Sequence, residues 1–552
     1  MDINNIPLEL LLKILSYIPQ NELYHTISQV CRHWEKLSIL PDFWRTFSYD
    51  DLSQLPQSSV QKYSTMENRV AHIRNIQTYV QELSITRMGI SDIQTIVFPD
   101  LKHLHILEEI SGQLFMDVLK RCPKLQAIDV QMYNPMICSF DLFCGLNLKE
   151  IKISFLLPTS ETINNDLIFL TETNPNLEKL DLNVQVRYGN VLHCGVHLQL
   201  EDHTIRQILN QSRNLKTLAL RNCSVSSKGF TSCGINFGLT ELTISNSYSF
   251  DDNGIECVTK NAKNLLVLEI LECNKITDKS IASIAENCPR LQCLSIYHPH
   301  VGVQITNQSL LAVANACRNL KRLYWRFRSK NRNTTDSGVI AIAKSCRFLV
   351  KISFDNNVHI GDLSLSSMVT YCLFLREASF SGCYGITLKG IKSFISSCIW
   401  LEKLDCSFCE GIMDDDYSPV RTNTRKSNEP RETTDETKSN KDKLEEFYNR
   451  ADGCVQDDVA ISYTDPQTEH VFIRHHYYDQ REGFIVHSHL KYLSLKACRL
   501  LSNVTILTLF ELCPDLREVD LIGTNADIDQ LLYDKIKQLC PFLNLENSQA
   551  PP

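Results

Sequence analysis

The segment CPRLQCLSI, starting at Cys288, is one of many near-copies spread along the chain. NPNLEKLDL starts at Asn174, SRNLKTLAL at Ser212, AKNLLVLEI at Ala262, CRNLKRLYW at Cys317, CLFLREASF at Cys372 and CPDLREVDL at Cys513. The leading leucines Leu239, Leu265, Leu291, Leu320, Leu349, Leu375 and Leu401 are 26 or 29 residues apart. Each unit reads L-x-x-L-x-L, a turn, an apolar helical run and then Cys-Pro or its equivalent. After Cys273, for example, Ile276, Ile281, Ile284 and Ala285 have helical spacing. One short strand and one helix cannot bury their apolar faces alone. Stacked copies can, so the pattern demands a repeat array with one continuous core.

This pattern resembles the leucine-rich repeats, and within them the cysteine-containing subfamily seen in many F-box proteins. The resemblance covers roughly Val80 to Leu545 apart from one insertion. It implies a curved α/β solenoid with parallel strands on the concave side and helices on the convex side. The repeat also assigns cysteines. Cys223, Cys273, Cys383, Cys409 and Cys498 follow the strand by three residues, and Cys122, Cys288, Cys317, Cys346, Cys372, Cys398, Cys513 and Cys540 end the helices. A small, apolar thiol suits such packed positions. Cys406-x-x-Cys409 therefore needs no metal, and no second pair follows to complete a four-ligand zinc site.

The first 47 residues belong to no repeat. IPLELLLKILSYI, from Ile6 to Ile18, reads as a helix with Leu8, Leu12 and Leu15 on one side. Leu10, Leu11, Ile14 and Ile18 carry the apolar surface well past that side, over about twice the width a surface helix needs. Pro7 suits the helix start and Pro19 ends the pattern. A second helix is expected near Asn21, with Leu23, Ile27, Val30 and Cys31 on one side; Trp34 and Leu37 extend it or start the next turn. A short helical piece follows Pro41, with Phe43, Trp44 and Phe47. A unit of about 45 residues with this many large apolar side chains calls for an obligate partner.

IPLELLLKILSYI, QVCRHWEKL and PDFWRTF together resemble an F-box over about Asn4 to Phe47, with Ile6 replacing the usual leucine. The resemblance implies docking on a Skp-class adaptor that links the chain to the cullin and RING subunits of an SCF ubiquitin ligase. It carries Pro7, Leu8, Leu11, Ile14, Leu15 and Trp34 over as adaptor contacts, with Val30 and Leu37 shared between core and interface. The competing reading is that these helices only cap the apolar end of the array, as solenoids require.

On the repeat strands alternate side chains face the concave wall. There Arg322, Tyr324 and Arg326 lie between Tyr297 with Ser295 and Lys351 with Ser353 and Asp355. Arg and Tyr are frequent interface anchors, and paired arginines grip carboxylates or phosphates. Tyr297, Arg322, Tyr324, Arg326 and Lys351 are thus the expected substrate contacts, for an acidic or phosphorylated protein. A solvated basic strand face would use the same residues. The expected organisation is an F-box over 1–48, a helical linker or cap over 49–79 and repeats over 80–412. An insertion spans 413–488, and C-terminal repeats with a tail occupy 489–552. The first half of the insertion is polar and charged and reads as disordered, and it includes Ser427 and Thr433 as modifiable residues. Its second half alternates like a hairpin, and its histidines His470, His475, His476, His487 and His489 lack strict ligand spacing.

With a formal charge of -8 the chain lacks the basic balance of a generic nucleic-acid binder. No spanning helix or secretory signal is apparent, so the 22 cysteines are expected as thiols in the cytoplasm, the nucleus or both. No phosphate-cradling loop, dinucleotide fingerprint, zincin motif or nucleophile elbow is found. The expectation is a non-catalytic substrate-recognition adaptor without cofactor, metal, nucleic acid or membrane as partner. Alternatives are an F-box scaffold acting without ubiquitination and an enzyme hidden in the insertion.

Overall fold

The computed structural model describes residues 6–27, 30–49, 66–85, 93, 95–106, 112–132, 143, 145–155, 163–184, 187–188, 191–192, 198–231, 238–298, 304–414, 461–464, 471–474, 489–524 and 530–544. The chain divides into two compact units, Met1–Ile276 and Thr277–Pro552.

The first unit opens with α1 (Leu8–Leu15), α2 (Gln20–His25), α3 (Arg32–Ser38) and a single turn, α4 (Pro41–Trp44). Pro7 and Pro19 stand just ahead of α1 and α2 in extended conformation, and the Pro7 carbonyl accepts the Leu10 and Leu11 amides, each at 3.0 Å. Glu9 near the start of α1 and Lys13 near its end complement the helix dipole. The continuous second helix expected through Cys31 is instead two, and the break turns Val30 and Cys31 out to solvent while Leu23 stays buried. Trp44 is fully buried, donates to the Ser38 carbonyl at 2.6 Å and packs edge-on against His72.

The next residues after Trp44 already belong to a parallel sheet. Its strands in this unit are β1 (Thr46–Ser48), β2 (Glu82–Ile85), β3 (His103–Ile106), β4 (Ala127–Met132) and β5 (Glu150–Phe155), followed by β6 (Lys179–Val184), β7 (Thr217–Arg221), β8 (Glu241–Ser245) and β9 (Val267–Leu271). They lie side by side in chain order. The register stacks Phe47, Leu83, Leu104, Ile128, Ile151, Leu180, Leu218, Leu242 and Leu268 into one buried column. The sheet thus starts at Thr46, inside the segment read as F-box, and the helix Met66–Ile76 connects its first two strands. The expected boundary at residue 80 falls after the repeat architecture has begun.

The second unit repeats the plan with β10 (Cys293–His298), β11 (Arg322–Phe327), β12 (Lys351–Ser353) and β13 (Glu377–Ser379), then β14 (Lys403–Asp405), β15 (Tyr492–Ser494) and β16 (Glu518–Asp520). All pair in parallel, as the expected α/β solenoid requires. Their buried column is Leu294, Leu323, Ile352, Ala378, Leu404, Leu493 and Val519.

Two polar devices keep copies in step. Thiols of the turn and helix-end cysteines donate to carbonyls of the preceding copy: Cys383 to Phe354 at 3.1 Å, Cys409 to Phe380 at 3.2 Å and Cys346 to Cys317 at 3.4 Å. An acid at the start of one helix caps the next. Asp278 accepts the Thr306 amide at 2.8 Å, Asp336 the Gly361 amide at 2.9 Å and Asp362 the Thr387 amide at 2.9 Å. Gly390 leaves room for this: a Cβ there would sit 2.0 Å from an Asp362 carboxylate oxygen.

Within the insertion, Ile461–Thr464 pairs antiparallel with Val471–Arg474, as the alternating pattern predicts. Ser427, Thr433, His470, His475, His476 and His487, and the polar stretch read as disordered, lie outside the described residues. The array resumes across it in register: β15 pairs directly with β14, and Asp414 accepts the Ser502 amide at 3.0 Å.

Candidate interaction surfaces

On α1 the apolar residues divide sharply. Leu11 and Leu15 retain 3% and 0% of their exposure, and Trp34 is buried as well. Leu8 and Ile14 remain 53% and 48% exposed. Of the predicted adaptor contacts, Leu8 and Ile14 are on the open surface. Leu11, Leu15 and Trp34 are corrected to core: they hold α1 and α3 onto their own chain and cannot at the same time present a free face. Pro7, just ahead of the helix, is exposed too. Leu37 is buried rather than shared. Leu10 and Tyr17, neither among the predicted contacts, extend the open surface together with Val30, which is exposed rather than shared with the core. The helical wheel does contain Leu10, but it cannot say which part of a doubly apolar helix its own chain covers.

On the sheet of the second unit, outward residues line up across strands. Arg322 is level with Lys351, and Tyr297 with Arg326. The Arg326 guanidinium lies 5.8 Å from the centre of the Tyr297 ring and 5.4 Å from that of Tyr324. It is held by two aromatic faces. Burial pushes the Tyr324 hydroxyl above its ordinary pKa, so Tyr324 stays a neutral donor. Lys351 departs from its predicted role. Its ammonium is 2.9 Å from a Glu377 carboxylate oxygen, so a neighbouring strand already supplies its counter-charge. Arg322 and Arg326 are also four residues apart on one strand, or roughly 13 Å at the β rise. Their backbone positions suit two separate anionic groups better than one. Asp355, nearby, is half-buried. Burial raises its pKa, against the hydrogen bonds it accepts from Ser379 and Ser353.

The first unit carries a second charged cluster that sequence reading passed over. His105 lies 3.3 Å from Glu82 and 3.7 Å from Asp129 on the adjacent strands, and Asp129 also takes Lys152 at 2.7 Å. The hydrogen bond to Asp129 is the main influence raising the His105 pKa, against burial. Strand alternation predicts that His105 faces outward, but only the register reveals the two carboxylates beside it.

Cys406 and Cys409 are buried thiols whose pKa values burial drives far up, and they lie just past a strand and in the turn that follows. Among the described residues no group of three or more His, Cys, Asp or Glu side chains is arranged to hold a metal ion. Also among the described residues, no helix is long and apolar enough to cross a membrane.

Residues 3–50 match the F-box-like family. The chain therefore opens with an F-box-like domain that runs directly into an α/β repeat. No curated protein matches the chain in sequence. Among solved structures it is similar to a chain of the yeast Rad7–Elc1 complex, at 11% identity and a TM-score of 0.44, over 91% of this chain and 88% of that one. It is also similar to a chain of a TLR13–ssRNA13 complex, at 11% identity and a TM-score of 0.34, over 87% of this chain and 59% of that one.

Proposed function

We propose that this protein is the substrate-recognition subunit of an SCF-type ubiquitin ligase, acting in the cytoplasm, the nucleus or both. Its F-box-like domain docks on a Skp-class adaptor, which joins it to cullin and RING subunits. Its strand face binds the protein to be ubiquitinated and degraded. The chain itself performs no chemistry. Ubiquitin transfer belongs to its partners, and no cofactor takes part.

What supports this reading is one coincidence: the residues that match the F-box-like family also bear an open apolar surface, made of Leu8, Leu10, Ile14, Tyr17 and Val30. Each large apolar side chain withdrawn from water stabilises a complex by about 1.5–3 kcal/mol. An aspartate in its place loses that gain and leaves a charge in the contact.

The test is capture of a recombinant Skp-class adaptor with cullin by the full chain. Wild type retains both, whereas Leu8→Asp with Ile14→Asp weakens capture by about 100-fold or more with an unchanged circular-dichroism spectrum. Leu11 and Leu15 are unsuitable for this purpose, because an aspartate at either unfolds the domain it is meant to probe. Absence of capture by wild type refutes the reading. Capture of adaptor without cullin, or with cullin but no ubiquitin transfer, favours the scaffold instead.

A further inference from the structure

Glu286 and Asp336 bound 49 residues without an acid, from 287 to 335, in a chain whose net charge is -8. The same stretch holds eight Lys and Arg residues. The fold gathers five of them on β11 and the segment that continues it: Arg322, Arg326, Arg328, Lys330 and Arg332. All but Arg326 are exposed, and Arg326 is half-buried between its two tyrosines. Among the described residues the only carboxylate within ion-pair distance of these five is Glu410, 3.7 Å from Lys330. The backbone secures the ridge: the Arg328 amide donates to His298 and the Asn331 amide to Asn356. From Arg322 to Arg328 the ridge is roughly 20 Å long at the β rise.

We propose that this ridge binds an extended acidic peptide segment of a partner protein, its Asp and Glu carboxylates meeting guanidinium groups that form no ion pair with a described carboxylate. The inference deepens the proposed function by naming a substrate class, and it rests on that reading only in treating the peptide as part of a ubiquitination substrate. Planar guanidinium forks match carboxylates bidentately. Spacing along one strand suits a ligand whose charges repeat along an extended chain. The borders of the ridge limit that ligand. On the β12 to β14 side stand the Lys351–Glu377 pair and the carboxyls of Asp355 and Asp405. A peptide need be acidic only where it meets the ridge. A nucleic acid carries charge on every phosphate and would run onto those acids. Aromatic faces at the ridge that could stack bases, those of Tyr297, Tyr324 and Tyr384, are already covered by Arg326 and Lys330.

The experiment titrates a fluorescein-labelled deca-glutamate peptide into the full-length protein and follows its anisotropy at low salt. The expected result is saturable binding that weakens about tenfold on raising salt from 50 to 300 mM, as screening of several surface contacts requires. Arg322→Glu with Arg326→Glu abolishes binding. Because Arg326 packs on two tyrosines, the exposed pair Arg328→Glu with Arg332→Glu is tested separately and weakens binding by about tenfold or more. Lys403→Glu, exposed on β14 of the same sheet, leaves it within about twofold. Unchanged binding in both folded double variants overturns the proposal, as does absence of binding by wild type. So does equal affinity for a labelled deca-thymidylate. Adaptor capture is measured on the same proteins. Loss of peptide binding with capture intact supports the ridge, and peptide binding without any adaptor capture refutes the ligase reading while the ridge stands.

Discussion

Leu8 and Leu15 are separated by seven residues and share nearly the same direction around α1. One is 53% exposed and the other fully buried. The difference is position along the axis, about 10 Å at the helical rise. Sequence periodicity records direction around a helix but not how far a neighbour reaches along it. The predicted contacts Leu11 and Leu15 are therefore buried in their own chain, while Leu8 and Ile14 stay on the surface. His105 shows the same limit for charge. Its raised pKa has a consequence with a definite sign. Charged His105 is better stabilised folded than unfolded, so its contribution is complete below pH 6.5, its ordinary value, and is lost as pH rises through the raised folded pKa. Wild type should lose stability relative to His105→Gln over that window, read as the difference between urea midpoints at successive pH values. Parallel pH profiles would show that Glu82 and Asp129 do not hold the imidazolium.

At the scale of elements, the turn after several of the strands repeats one conformation with different residues. Asn222, Asn246 and Asn356 have φ of 55°, 57° and 61°, and Gly382 takes the same region at 72°. Asn and Gly are the residues that tolerate it. Phe408 and Ala497 adopt it too, each at 57°, where nothing local favours them. The stacked copies on either side hold these two turns in line: the Phe408 amide donates to Lys496 and the Ala497 amide to Ile522. The acids that cap the neighbouring helix work in the same way. Asp336 accepts from the Gly361 and Ser364 amides, at 2.9 and 3.2 Å, and from the Ser364 hydroxyl. Removing it takes the acceptor from the Gly361 amide and the Ser364 hydroxyl, while the Ser364 amide keeps the Gly361 carbonyl at 3.0 Å. Asp336→Ala should cost about 1–3 kcal/mol, measured by urea unfolding, with Asp336→Asn losing less because its amide oxygen still accepts. A loss below about 0.5 kcal/mol would mean that water replaces the carboxylate freely.

Across the whole molecule, the cysteines report on packing. Cys31 is exposed in the F-box-like domain. Cys317 and Cys346 are buried at helix ends, and burial pushes both thiols up to about 12. Thiolate is the reactive form, so both resist alkylation while the repeat stays folded. Brief treatment of the native protein with iodoacetamide at pH 7.5, followed by peptide mass mapping, should label Cys31 and spare Cys317 and Cys346. Labelling of all three in urea completes the comparison. Fast native labelling of Cys346 would contradict the packing described here.

Much of this architecture is legible from the chain alone, because a repeat constrains itself. Leucines recurring every 26 or 29 residues have only one economical way to be buried together, and that fixes strand, helix and cysteine positions at once. The acid-free basic stretch is equally plain in the sequence. Tertiary structure alone decides what depends on neighbours distant in the chain. It starts the sheet at Thr46, because β1 needs β2 beside it. It neutralises Lys351 with Glu377 from the next copy, whereas no described carboxylate lies within ion-pair distance of Arg322 or Arg326 of β11. Burial and counter-charge are properties of what surrounds a residue, and a local pattern specifies which side chains are present but not what stands opposite them.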